Sequence, residues 1–179
     1  MSCQTLDDRN AKPAAAGNFS GKLTAWGIVS FTKDGDALLG QQMADWGIWS
    51  YLVVMFERDD DGRFRGVDRY QPNALITFNT HDLSTYAGWR SFSDLKIKRS
   101  IGLDPGESDD ARWHALGMLD EVLRRHDIHS HDFYAVASFL ARTRSRMMAV
   151  SMEDLLGIVE QPNIPGTVHE HPNWQRRLP

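Results

Sequence analysis

A nearly unbroken apolar run occupies residues 48–56, with the sequence Ile-Trp-Ser-Tyr-Leu-Val-Val-Met-Phe. Side chains alternate between the two faces of a strand, so a strand built from this run is apolar on both faces. Such strands are typical of parallel sheets that are flanked by helices. The run therefore predicts an α/β fold with a parallel sheet.

Further apolar runs and helical patterns alternate along the chain. We predict strands at residues 74–78 and 147–152, and a weaker strand at residues 23–31, where Gly27 interrupts the pattern. A helix is expected to begin at Asp36, a turn or helix at Ser84, and a helical turn at Glu153. The apolar faces of the longer predicted helices are Leu39, Met43 and Trp46; Trp113, Leu116, Leu119 and Leu123; and Phe133, Val136, Ala137 and Leu140. This alternation indicates βα repeats.

Composition and charge restrict the kind of partner. The chain is 41% hydrophobic with six Trp and eight Phe, which indicates a folded domain. A net charge of −4 gives no attraction for nucleic acid or anionic membrane, and no apolar run approaches the roughly 20 residues of a membrane span. Cys3 has no second cysteine to pair with, and no secretory signal is recognisable, so we expect a cytoplasmic location. Residues 1–35 are expected to form a mobile leader.

A polar segment, Asn-Thr-His-Asp-Leu-Ser-Thr at residues 79–85, directly follows the predicted strand at residues 74–78. Parallel α/β enzymes present reactive groups at the carboxyl ends of their strands, which makes Asp82 a candidate for the chemistry. The alternative interpretation is that Asp82 caps the following helix. The local sequence leaves both interpretations open.

Three stretches resemble metal sites. Residues 126–132 contain alternating histidines, but a structural zinc site needs four ligands, and this stretch lies where one helix ends and Ser130 or Asp132 begins another. Residues 168–171 resemble a metal pair, and the acidic residues 59–61 resemble part of a calcium loop without its other ligands. We interpret all three as structural and expect no metal and no cofactor.

Motifs in consistent order and spacing over residues 39–179 resemble one known family. The motifs are Trp-Gly-Ile-Trp-Ser-Tyr at 46–51, Phe-Glu-Arg-Asp at 56–59, Thr-His-Asp-Leu at 80–83 with Ala-Gly-Trp at 87–89, Phe-Leu-Ala-Arg-Thr at 139–143, Glu-Asp-Leu-Leu-Gly at 153–157, Asn-Ile-Pro-Gly-Thr at 163–167 and His-Pro-Asn-Trp-Gln-Arg-Arg-Leu-Pro at 171–179. Together they resemble the carboxyl-terminal third of 4-α-glucanotransferases, the amylomaltases or disproportionating enzymes of the α-amylase superfamily.

This resemblance implies a fold and a reaction. Residues 36–179 would form the last three or so βα units of a (β/α)8 TIM barrel, whereas residues 1–35 do not resemble the family. A closed barrel takes about 250 residues, so this chain cannot form one alone. The family transfers α-1,4-glucan chains between maltooligosaccharides, or from starch- or glycogen-type glucans, by a retaining mechanism. Retention requires a nucleophilic carboxylate and an acid/base carboxylic acid about 5 Å apart.

The resemblance also implies roles for individual residues. The Thr-His-Asp motif of the family provides a third carboxylate, which corresponds to Asp82 and would stabilise the transition state. His81 would hydrogen-bond the same sugar ring. Asn163 would line the acceptor side and Phe56 would offer an apolar face to a glucose ring. The alternatives are a turn residue for Asn163 and a core residue for Phe56.

Two catalytic motifs of the family are missing from the sequence. The nucleophile of the family lies in Arg-x-Asp-His and its acid/base in Glu-Asp-Leu-Gly, and neither motif occurs in this chain. Ser84 stands where the family usually has Pro. Glu57 and Asp154 could face the same site, but we interpret Glu57 as an ion-pair partner of Arg58 and Asp154 as an acid of a helical first turn.

Two hypotheses follow for function. The chain is a 4-α-glucanotransferase segment, or it is a truncated, non-catalytic remnant that at best binds glucan or associates with an intact homologue. We expect the isolated chain to be inactive in either case. We also expect self-association through open barrel edges.

Overall fold

The computed structural model describes residues 45–179. The predicted leader at residues 1–35, the candidate strand at residues 23–31 and nearly all of the helix predicted from Asp36 lie outside the described residues.

A three-stranded parallel sheet organises the described residues, as the apolar runs predict. The strands are β1 (Ser50–Val53), β2 (Ala74–Thr77) and β3 (Met147–Met148), in the spatial order β1-β2-β3. Tyr51 lies opposite Leu75, and Leu75 lies opposite Met147. Each outer strand pairs only with β2 within residues 45–179, and self-association through these edges stays a prediction.

Two of the predicted strands are shorter than expected. The apolar run at residues 48–56 leaves the sheet after Val53 and continues as a 3₁₀ helix, Val54–Phe56, because Glu57 N–H turns back to the Val54 carbonyl at 3.0 Å. The buried strand predicted at residues 147–152 was wrong in length and burial. Only Met147–Met148 pairs, and both methionines are exposed.

Helices follow the strands, with bounds close to the sequence patterns. A second 3₁₀ helix is Val67–Arg69, and the α-helices are α1 (Tyr86–Arg90), α2 (Ser93–Ser100), α3 (Asp109–Arg125), α4 (Phe133–Ala141) and α5 (Met152–Leu155). Side-chain oxygens of Ser108, Asp132 and Ser151 accept backbone N–H groups at the starts of α3, α4 and α5. No helix within residues 45–179 is both long and apolar enough to cross a membrane.

The hydrophobic core lies between the sheet and helices α3 and α4. Ile76 and Phe78 from β2 and its carboxyl end pack in one cluster with residues of α3 and α4, among them Leu116, Leu119, Leu123, Val136, Phe139 and Leu140. Trp113 was predicted on the buried face of α3 but is 65% exposed. It lies at the edge of the buried stripe, where its ring meets Phe92 at 4.9 Å.

A buried ion pair fixes α2, which the sequence patterns did not predict. Arg112 of α3 donates to both carboxylate oxygens of Asp94 in α2, at 2.9 and 2.7 Å, and to the Trp89 carbonyl of α1 at 2.6 Å. Glu107 also accepts from the Arg112 guanidinium. These contacts connect three helices through one side chain that is almost completely buried.

Candidate active site

A groove of about 310 Å³ opens at the carboxyl ends of β2 and β3. Its walls come from Thr77 and residues 79–81 after β2, residues 149–151 after β3, and the carboxyl-terminal part of the chain, including Trp174 and Arg176. The carboxyl edge of a parallel sheet is where α/β enzymes bind their ligands. The groove is therefore the candidate site, and the predicted site residue His81 is part of its lining.

Asp82 lies in the turn that leaves β2, and its side chain is only 9% exposed. The Oδ1 atom accepts a hydrogen bond from the Asn163 side-chain amide. The Oδ2 atom is buried without a hydrogen-bond partner among residues 45–179, and lies 3.5 Å from His81 Nε2, an ion-pair distance. The alternative that Asp82 caps α1 is wrong, because Thr85 Oγ1 accepts the Gly88 N–H at 3.0 Å and forms that cap.

The structure brings three of the four predicted site residues together and leaves the fourth apart. Asp82 contacts both Asn163 and His81. Phe56 ends the first 3₁₀ helix with an exposed ring, so the alternative of a core position for Phe56 is wrong. Of the four, His81 lines the groove, whereas Asp82, Asn163 and Phe56 are not among the described residues that line it.

The loop at residues 160–175 holds Asn163 in place. Gln161 Nε2 donates to the Asp82 carbonyl at 3.0 Å and to the Asn163 carbonyl at 2.5 Å. His171 Nε2 lies 2.8 Å from the Gln161 carbonyl, which is a structural contact for a residue of the metal-like pair. Gln161 is a site residue that sequence reasoning missed. Its contact spans 79 positions, and no local pattern marks it.

Asn173 closes the same loop. Its Oδ1 accepts the Ile164 N–H at 2.9 Å, and its Nδ2 donates to the carbonyl and the hydroxyl of Thr167 at 3.1 and 2.8 Å. The Asn-Ile-Pro-Gly-Thr and His-Pro-Asn-Trp motifs therefore bind each other. Asn173 thereby fixes the conformation of the Asn-Ile-Pro-Gly-Thr segment.

Trp174 has an unusual backbone conformation for a bulky residue. Its φ is +60°, in the left-handed region, and its N–H donates to the Pro162 carbonyl at 3.0 Å. The indole is 61% exposed and lines the groove, with its ring centre 5.3 Å from that of His81.

Asp154 of α5 is a buried acceptor that connects both sides of the Asp82 turn. Its Oδ1 accepts the Tyr86 N–H of α1 at 2.5 Å, and its Oδ2 accepts from Asn79 Nδ2 at 3.0 Å. Asn79 Nδ2 also donates to the Ser84 carbonyl at 2.9 Å. Burial raises the pKa of the Asp154 carboxyl, and its hydrogen bonds partly oppose this shift. Asp154 therefore stabilises the turn at residues 79–85 by accepting hydrogen bonds from the residues on both of its sides, Asn79 and Tyr86.

The remaining acidic and metal-like candidates have structural contacts. Glu57 pairs with Arg65 at 2.5 Å. His126 Nε2 accepts the Val67 N–H at 3.4 Å, His131 Nδ1 lies 3.0 Å from Asp120 Oδ1, and Asp132 caps α4. Over residues 45–179, no group of three or more His, Cys, Asp or Glu side chains is placed to hold a metal ion.

Comparisons with known proteins agree on one family. A family model described as 4-alpha-glucanotransferase matches residues 37–179. The 4-alpha-glucanotransferase of Mycobacterium tuberculosis is 28% identical over 146 residues, covering 72% of this chain and 20% of that protein. The 4-alpha-glucanotransferase of Haemophilus influenzae is 25% identical over 156 residues, covering 76% of this chain and 22% of that protein.

A solved structure supports the same assignment at the level of fold. The amylomaltase from Corynebacterium glutamicum superposes with a TM-score of 0.67 at 24% identity, over 81% of this chain and 23% of that one. Its likeness fits the parallel sheet and helices of this chain as part of an α/β barrel. The chain spans about a fifth of the length of the curated relatives. Since the family model covers most of its residues, the chain belongs to the 4-alpha-glucanotransferase family.

Proposed function

We propose that this chain provides the Asp82 side of a site that transfers α-1,4-glucan chains between maltooligosaccharides by a retaining mechanism. The observation that carries the proposal is the Asp82 Oδ2 atom, which is buried, makes no hydrogen bond within the described residues and lies 3.5 Å from His81 Nε2. Buried polar atoms are almost always hydrogen-bonded, so an exception at a conspicuous site needs an explanation. A sugar hydroxyl would supply the missing donor.

The proposed role of Asp82 is electrostatic. A retaining transfer passes through a transition state that resembles an oxocarbenium ion, with positive charge on the sugar ring. Hydrogen bonds from hydroxyls of this ring to Asp82 would strengthen as the charge develops, and such interactions accelerate the step more than uniform binding does. The amide of Asn163 would hold the carboxylate in position through Oδ1. His81, which lines the groove and lies 3.5 Å from Asp82 Oδ2, would bind the same ring.

We propose roles at a greater distance from the reacting ring for the other two predicted residues. We propose that the loop carrying Asn163 borders the acceptor sugar, because this loop runs from Asp82 to the groove wall at Pro162. Phe56 would offer its exposed ring to a glucose unit outside the groove. The nucleophile and the proton donor would come from residues outside this sequence, since their two motifs do not occur in it.

A second candidate function is glucan binding without transfer. The observation that favours it is the same absence of both catalytic motifs from the sequence. On this alternative, the chain would bind maltooligosaccharides or associate with a complete homologue. The two functions differ in whether Asp82 contributes to turnover when the other carboxylates are present.

A chimera separates them. Residues 37–179 replace the matching segment of the Mycobacterium tuberculosis 4-alpha-glucanotransferase, and the product is incubated with maltotriose. Transfer predicts shorter and longer oligosaccharides, their loss with Asp82→Asn, and no change with Asp110→Asn, an exposed acid of α3. A folded chimera that yields no products, or one that is indifferent to Asp82→Asn, would overturn the proposal.

A further inference from the structure

We propose that Trp174 is an aromatic platform that binds a pyranose ring of an α-glucan in the groove beside His81. This inference rests on the proposed function, because it names a second sugar contact next to the Asp82 site. Neither the family motifs nor the comparisons assign this role to Trp174.

The indole of Trp174 is exposed at the groove. Trp174 is 61% exposed, although an indole this exposed leaves a large apolar surface in water. The ring borders a formed groove and lies beside the imidazole of His81, with 5.3 Å between ring centres and 51° between planes. An aromatic face with polar groups around it matches a pyranose ring, which has apolar C–H faces and a hydroxyl edge.

The backbone conformation of Trp174 also supports the proposal. A φ of +60° is unfavourable for a bulky side chain, and such conformations persist only where the surroundings impose them. Here the neighbouring contacts do so. The Trp174 N–H is bound to Pro162, the side chain of Asn173 is bound to Thr167, and the Gln175 N–H reaches the Pro172 carbonyl at 3.3 Å. Strained residues cluster at ligand sites, and this strain keeps an exposed indole over the groove.

The polar side chains at the rim of the groove are also suited to a sugar. Arg176 Nη1 and Glu160 Oε2 form an ion pair at 2.7 Å, and both side chains line the groove and are partly exposed. The pair offers hydrogen-bond donors and acceptors without net charge, which suits the adjacent hydroxyls of a neutral sugar. The groove volume of about 310 Å³ is at the lower end of the ~300–1,000 Å³ range of ligand pockets.

His81 lines the groove and lies 3.5 Å from Asp82 Oδ2, whereas Asp82 is not among the described residues that line it. A ring on Trp174 would therefore belong to the same glucan as the ring at Asp82 without being the reacting ring. A contact that is made equally in the ground state and the transition state changes substrate affinity rather than the rate of the chemical step, so direct binding is the readout for Trp174.

The test measures maltoheptaose binding to the full 179-residue chain by isothermal titration calorimetry. Trp174→Asn removes the ring but keeps a residue that tolerates the left-handed conformation, and Trp174→Phe keeps an aromatic face. The matched control is Trp113→Ala, which removes a similarly exposed tryptophan from α3. We expect the dissociation constant to rise at least about tenfold for Trp174→Asn, by less than about threefold for Trp174→Phe, and not at all for Trp113→Ala.

The outcomes separate the platform from the proposed transfer function. A Trp174→Asn variant that keeps its circular dichroism spectrum and binds like the parent overturns the platform, as does an equal loss for Trp113→Ala. Absence of maltoheptaose binding to the parent chain also overturns it. The proposed transfer function fails independently, when the maltotriose turnover of the chimera is indifferent to Asp82→Asn.

Discussion

Replacing Asp154 with asparagine tests how the structure holds the Asp82 turn. The carboxylate accepts two hydrogen bonds, one from the Tyr86 N–H and one from the Asn79 amide, on opposite sides of the turn at residues 79–85. Asparagine has one side-chain oxygen and one NH₂ group, so it satisfies one of the two donors and turns a third donor toward the other. Alanine satisfies neither.

The expected magnitude follows from the number of donors left without acceptors. A buried unsatisfied donor costs about 1–3 kcal/mol, so Asp154→Asn should lower the free energy of unfolding by about 2 kcal/mol and Asp154→Ala by about 4 kcal/mol. The pH dependence adds a second signature. Because burial raises the pKa of Asp154 above its ordinary 3.8, the folded state binds this proton more readily than the unfolded state. Stability of the parent should therefore fall relative to Asp154→Asn as pH rises from 3.8 through the raised pKa.

Urea unfolding followed by circular dichroism measures these differences, with Asp110→Asn, at an exposed position of α3, as the control. The control should lie within about 0.5 kcal/mol of the parent, as for other surface substitutions. A loss below about 0.5 kcal/mol for Asp154→Asn, or equal losses for the asparagine and alanine variants, would refute the assignment of Asp154 as a two-sided acceptor.

Three further predictions concern packing and activity. Gly88→Ala should destabilise the fold by about 1–3 kcal/mol in thermal melts, because an added Cβ would lie 2.4 Å from the Val159 carbonyl oxygen. Gly117→Ala, in an open position of α3, should instead stabilise the fold by up to about 1 kcal/mol. If Gly117→Ala were the more destabilising of the two variants, the close packing of α1 at Gly88 would be contradicted. Arg112→Ala should lower the free energy of unfolding in urea by about 3–5 kcal/mol, because it leaves the Asp94 carboxylate buried without its partner. An unchanged free energy of unfolding would contradict the claim that this ion pair holds α2 in place. The isolated chain should not disproportionate maltotriose, as seen by chromatography of the products, and clear longer and shorter oligosaccharides would mean that its own residues supply the missing carboxylates.

The parallel sheet and the long helices could be predicted because their signals are local. The apolar run at residues 48–56 marks a strand, and α3 and α4 have polar caps followed by apolar residues at helical spacing. The expected cover on both faces of this strand was wrong for the described residues, because Ile48, Trp49 and Tyr51 are exposed. The helix α2 has no comparable signal. Its sequence is mostly polar, and its burial depends on Asp94 meeting Arg112, which is 18 positions away.

The residues of the candidate site also divide into those with a signal in the local sequence and those without one. Asp82, His81 and Asn163 could be named because they lie inside motifs with a family resemblance. Gln161 and Asp154 could not be assigned their contacts, because these join segments 79 and 68 positions apart and depend on the closed fold. The exposure of Trp174 could not be predicted either, because it depends on the loop conformation that places its N–H on the Pro162 carbonyl.

The central claim is that Asp82 acts in the transition state rather than in substrate binding alone. Its most direct test is steady-state kinetics of the chimera on maltotriose, with Asp82→Asn compared with the parent. Loss of one electrostatic stabiliser predicts a fall in kcat of roughly 10²–10³-fold, with KM changed by less than about threefold. An unchanged kcat, or a rise in KM with kcat preserved, would contradict the claim.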